Sequence, residues 1–108
     1  METYIKLYDW IANIKEFSTS QKIVYALIYQ MSQVSNAGWY GGVQKMANRL
    51  CITKRSCTTI INDLVTIGAI EKRKAGRRNA LIAIPSWAEE QQTAYETRKQ
   101  PRKSTAQQ

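Results

Sequence analysis

Mainly α with one small β-hairpin is the class this chain predicts, and three observations carry it. Apolar residues recur at helical spacing through four separate stretches before Gly68. After Gly68 the pattern changes to short β-favouring runs, Ile70 and then Leu81, Ile82 and Ile84, on either side of a Gly-containing loop. The composition, 44% hydrophobic and 22% charged over 108 residues, is that of a globular chain sized for one domain.

The elements follow in order. From Tyr4 to Ile14, Leu7, Trp10, Ile11 and Ile14 make one apolar stripe if the segment is helical. Glu16 to Ser20 breaks it. Ser18 and Gln21 then form a capping-box signature, in which the hydroxyl accepts from a first-turn N–H and Gln21 reaches back. Behind it Ile23, Val24, Ala26, Leu27, Ile28, Met31 and Val34 are apolar around much of the circumference, which predicts the most buried helix. Asn36-Ala37-Gly38 ends it, and Trp39 to Gly42 has the length of one brief strand.

Val43 to Leu50 is the next helix, with Val43, Met46, Ala47 and Leu50 inward and Gln44, Lys45, Asn48 and Arg49 outward. After Cys51-Ile52, Thr53 is the N-cap of a helix from Lys54 to Ile67 that turns Cys57, Ile60, Ile61, Leu64 and Val65 inward. Gly68 supplies the left-handed residue that stops it. Ala69 to Arg73 and Asn79 to Ile84 are antiparallel strands, and Pro85 ends the second. Ser86 with Glu89 is a further capping box, opening a thin helix through Trp87, Ala88, Gln91, Ala94 and Tyr95. Arg98 to Gln108 has no apolar periodicity and is expected to be a mobile tail or linker. The division is therefore residues 1–85 as the domain and 86–108 as a C-terminal helix and flexible tail. Two short helices joined by a tight turn and followed by a two-stranded ribbon are the layout of a winged helix-turn-helix.

The charge is not spread evenly. Between Gln44 and Ile84, nine cations face only Asp63 and Glu71, leaving +7 of the whole chain's +8 in this stretch. Concentrated positive charge is the footprint of a polyanion-gripping surface. On the helix from Lys54, the outward residues Thr53, Lys54, Arg55, Ser56, Thr58, Thr59 and Asn62 suit a major groove: Arg55 can fork onto guanine, Asn62 pair with adenine or a phosphate, and Thr58 and Thr59 offer hydroxyl and methyl groups. Serine and threonine are weak helix-interior formers, so their density here calls for a reason beyond propensity. Five cations within seven residues, Lys72, Arg73, Lys74, Arg77 and Arg78, crowd the ribbon tip and repel one another unless a polyanion takes the charge. Gln44, Lys45 and Arg49 on the preceding helix add supporting contacts. Six of these cations on phosphates would give a salt slope of log K of about −5.

A resemblance adds to this. The run Ile23-Val24-Tyr25-Ala26-Leu27-Ile28-Tyr29, then Tyr40-Gly41-Gly42-Val43-Gln44-Lys45-Met46-Ala47, Thr53-Lys54-Arg55-Ser56, Leu64-Val65 and Gly68-Ala69-Ile70-Glu71-Lys72 resembles the winged-helix domains at the start of phage and plasmid replication initiators. It covers roughly residues 5 to 85. The resemblance implies that the third helix enters the major groove, that the wing lies along phosphates or the adjacent minor groove, and that a replisome or helicase-loader protein is a further partner. Family members commonly carry another C-terminal domain, so a chain ending at Gln108 is either a stand-alone relative or part of something longer. It departs from the family at Cys57, where an aliphatic residue is usual, and Thr58-Thr59 would change which bases are read.

Other classes are bounded by what is missing. The chain has no histidine, and its acids are few and scattered, which argues against an enzyme and against a metal or other cofactor. Cys51 and Cys57 match neither a redox pair nor a zinc knuckle and are expected to be small buried apolar residues in a reducing cytoplasm. The N-terminal stretch does not read as a signal peptide, no apolar run is long enough for a membrane span, and the cations are not arranged on one amphipathic helix. The expected setting is the bacterial cytoplasm or nucleoid, with double-stranded DNA as partner and no membrane. Single-stranded nucleic acid fits less well because the aromatic residues fall on predicted core faces. A transcriptional regulator of a mobile element and a winged-helix protein adapter without DNA binding are the competing functions. Trp87 and Tyr95 either pair a second copy, giving a homodimer through the C-terminal helix, or cover the domain's own core.

Overall fold

The computed structural model describes residues 5, 7–34, 39, 42–75 and 78–106. It is a mainly helical chain with a two-stranded antiparallel sheet, in the order α1 (Asp9–Ala12), α2 (Thr19–Val34), α3 (Gly42–Leu50), α4 (Lys54–Ile67), β1 (Ile70–Ala75), β2 (Arg78–Ala83) and α5 (Pro85–Ala106).

The first helix is much shorter than its apolar stripe predicts. Tyr8 is already extended, and Asn13 closes the segment by directing both its backbone N–H and its side-chain Nδ2 to the Asp9 carbonyl, at 3.1 and 2.8 Å. An amide side chain competing for a helix carbonyl ends the ladder after one turn. Trp10, Ile11 and Ile14 still enter the core, but Leu7 stays out at 46% exposed.

α2 starts where the capping box places it. Gln21 N–H donates to Ser18 Oγ at 3.2 Å, and Ser18 N–H donates to Gln21 Oε1 at 2.8 Å, so two otherwise orphaned donors are satisfied reciprocally. Val24, Tyr25, Ala26, Leu27 and Ile28 are all buried on it. Tyr25, absent from the predicted inward stripe, is among the largest fully buried side chains. The Asn36-Ala37-Gly38 stop lies outside the described residues. Of the predicted Trp39–Gly42 strand, Trp39 makes an isolated antiparallel bridge to Leu81 through two backbone hydrogen bonds of 2.9 and 3.0 Å, while Gly42 opens α3. β2 is thus flanked by Trp39 as well as by its ladder partner β1.

The ribbon pairs Ile70 with Ala83, Lys72 with Leu81 and Arg73 with Ala80. Ser32 fastens it to α2: its Oγ donates to the Ile28 carbonyl at 2.8 Å and accepts from Ala83 N–H at 3.0 Å. Pro85 does more than end β2. It is the first residue of α5, whose first-turn bond runs from Ala88 N–H to the Ile84 carbonyl, so the capping role predicted for Ser86 and Glu89 is corrected. Proline's fixed φ and missing N–H suit the first helical position. α5 also runs through the predicted mobile tail as far as Ala106. From Arg98 to Lys103 the Arg, Lys and Gln are good helix formers even without an apolar stripe, and the helix continues through Pro101, whose missing N–H opposes it. The start of α5 joins the core. Ala88 is buried, and Trp87 stacks on Phe17 at 5.7 Å and meets Tyr25 edge-on at 5.2 Å.

Candidate nucleic-acid interface

α4 is anchored at both ends and along one side. Thr53 Oγ1 accepts from Ser56 N–H at 3.0 Å, and its hydroxyl also meets Ser56 Oγ at 3.0 Å, so these two residues build the N-cap. Gly68 adopts φ 94 and donates to the Leu64 and Val65 carbonyls, closing the other end. Cys57, Ile61 and Leu64 are buried, with Cys57 and Leu64 at 0% exposed. Burial pushes the Cys57 thiol above its ordinary pKa, so it stays protonated and acts as an apolar filler. Cys51 does not share that environment. It is exposed, against the expectation that both cysteines are buried, because it is the turn residue between α3 and α4. With φ 58 it lets Ile52 N–H reach back to the Ala47 carbonyl at 3.0 Å, a role glycine usually fills.

With that anchoring, Lys54, Arg55, Ser56, Thr58, Thr59, Asn62 and Asp63 are all exposed. At 100° per residue, Arg55, Thr59, Asn62 and Thr66 form the stripe farthest from the core. Thr66 belongs to this stripe and was not among the residues singled out from sequence; its spacing of four from Asn62 was the available signal. Asp63 lies toward α2, where Gln21 Nε2 meets it at 3.5 Å. The Thr58 and Thr66 hydroxyls donate to the Lys54 and Asn62 carbonyls, each at 2.9 Å, which leaves their oxygen lone pairs and methyl groups for an outside partner. Lys54 and Arg55 occupy the first turn of α4 with no acid there. Cations at the positive end of a helix dipole are unfavourably placed unless an anion approaches them.

α3 brings Gln44, Lys45 and Arg49 to the surface beside this helix, with Met46 and Ala47 buried beneath. Gln44 Nε2 donates to Asn48 Oδ1 at 2.9 Å along the exposed face.

Among the described side chains, Lys72 and Arg73 do not share one face of the ribbon. Lys72 follows Ile70 by two residues and therefore shares its face; its Nζ donates to Asn62 Oδ1 at 3.3 Å, joining the root of the ribbon to the outer stripe of α4. Arg73 lies on the other face. There it pairs with Glu71 at 2.6 Å and lines a cleft of about 400 Å³ with Tyr29, Ser32, Gln33, Ile82, Ala83 and Pro85. Strand alternation separates neighbours that the sequence read as one patch. Lys74 and Arg78 lie within the paired strands, and Arg77 lies outside the described residues.

Among the described residues no group of acids, histidines and cysteines is placed to hold a metal ion, and no helix is long and apolar enough to cross a membrane. Comparison of the chain with protein-family models, curated proteins and solved structures finds no match.

Proposed function

We propose that this chain is a winged helix-turn-helix protein that binds double-stranded DNA, with α4 in the major groove and the β1–β2 ribbon as its wing. The observation that carries the reading is the contact of Lys72 with Asn62: it makes the outer stripe of α4 and the near face of the ribbon one continuous polar surface. Along that surface lie Lys54, Arg55, Thr58, Thr59, Asn62 and Lys72, with Lys45 and Arg49 on the neighbouring helix. The shape and charge suit a groove bounded by phosphates. Arg73 is left out of this surface, and its partner Glu71 offsets its charge. The resemblance to replication initiators suggests initiation on a phage or plasmid-like element as the setting.

Titration with a random-sequence duplex over a range of salt concentrations tests the proposal. Binding that weakens with a log–log slope of about −4.5 is expected, because each of the five cations on this surface contributes about −0.9 when it meets a phosphate. Absence of binding at low ionic strength, or a slope near zero, overturns it.

A further inference from the structure

The contact between Lys72 and Asn62 does more than join two elements. Both side chains are exposed, and the ammonium lies 3.3 Å from the amide oxygen. A lysine ammonium has three donors and no acceptor, so an asparagine beside it must turn Oδ1 inward and Nδ2 outward. Asparagine reads adenine with both ends of its amide, Oδ1 accepting from N6 and Nδ2 donating to N7. Here one of the two Oδ1 lone pairs already accepts from the ammonium, and the positive charge beside it repels an amino group approaching the other. What remains is a donor next to a positive charge, and such a pair suits an acceptor edge and repels amino groups. Guanine presents two neighbouring acceptors, N7 and O6, in the major groove; adenine and cytosine present amino groups there.

We propose that Lys72 is a positioning residue that sets base preference through Asn62: by holding the amide oxygen it converts an adenine reader into a donor that selects guanine. The inference rests on the DNA-binding reading above. Lys72 acts from the wing root on a base that α4 faces, so one specificity position is shared between two elements about ten residues apart in sequence.

Base preferences selected from a random duplex pool test it, using the full chain and the variants Lys72→Met, Asn62→Ala and Lys72→Met with Asn62→Ala. Methionine keeps the length of the lysine stem and removes its donors. The wild type should favour guanine at one position, and Lys72→Met should move that same position toward adenine by about tenfold. Asn62→Ala should flatten the position, and adding Lys72→Met to it should change the preference no further. In the free protein, the Asn62 side-chain amide resonances should shift in Lys72→Met while the thermal transition is retained. Two results overturn the inference alone: a Lys72→Met protein with an unchanged base profile and a uniform loss of affinity, or the same preference change with and without Asn62. Failure of the wild type to bind any duplex overturns the DNA-binding reading and this inference with it.

Discussion

Replacing Tyr25 by phenylalanine should make this protein more stable. Tyr25 is 0% exposed on α2, and its hydroxyl has no hydrogen-bond partner among the described residues. The ring itself is well placed: Trp10, Phe17, Tyr29 and Trp87 surround it with centroids between 5.2 and 6.1 Å away, contacts that phenylalanine keeps. A buried hydroxyl without a partner costs about 1 to 3 kcal/mol. Removing the oxygen leaves a void of about 10 Å³, which at about 24 cal/mol per Å³ returns only about 0.2 kcal/mol. The expected net gain is about 1 kcal/mol, or about 4 °C in the thermal midpoint of a domain this size. Urea unfolding of both proteins at neutral pH reads the difference directly.

The same residue predicts a pH dependence. Burial first, and then neighbouring Tyr29, raise the Tyr25 hydroxyl above its ordinary 10.0. The folded value lies above the unfolded one, so the stability linked to this group is intact below pH 10 and declines above it, where the unfolded chain ionises first. Wild-type stability should therefore fall as pH rises beyond about 10, and the gap to Tyr25→Phe should widen there. A variant less stable than the wild type at neutral pH would refute the reasoning, since it would mean that the hydroxyl is hydrogen-bonded in solution. A gap that stays constant through about pH 11 would refute the titration argument.

Cys51→Gly should stabilise by about 0.5 kcal/mol in denaturant melts, because relief of the left-handed strain at φ 58 outweighs the added freedom of the unfolded chain. Thr53→Ala should cost about 1 kcal/mol through loss of the bond from Ser56 N–H, and Thr53→Ser should restore most of it; equal losses would deny the cap its role. On DNA, Arg55→Ala should cost about 1 to 3 kcal/mol and relax one base position, as read by competition binding. Arg73→Ala should change affinity less than about twofold, since Arg73 faces away from Lys72 and its charge is offset by Glu71. A loss for Arg73→Ala as large as that for Arg55→Ala would show that the Arg73 face of the ribbon meets the duplex as well as α4.

Most of the helical framework was legible because it depends on local chemistry. The Ser18–Gln21 box, the Thr53 cap and the Gly68 stop act over three or four residues, and the bounds of α4 agree with those signals. Where local signals misled, a neighbour had intervened. Asn13 took a carbonyl from the helix expected to continue through it, and Pro85 became the first residue of α5 rather than only the end of β2. Cys51 looked like a small core residue, but the turn between α3 and α4 needed a left-handed backbone at its position.

The division between the two sources follows from range. Periodicity, caps and charge density are properties of neighbouring residues, so the order of elements, the inward face of α4 and the cationic character of the stretch after Gln44 were determined by the chain alone. Which of those cations share a face is a matter of strand alternation and of what packs beside the ribbon. Only the tertiary structure set Lys72 against Asn62 and turned Arg73 toward the cleft on α2, and only it buried the Tyr25 hydroxyl and set the Tyr25 ring among four aromatic rings drawn from α1, α2, α5 and the segment before α2.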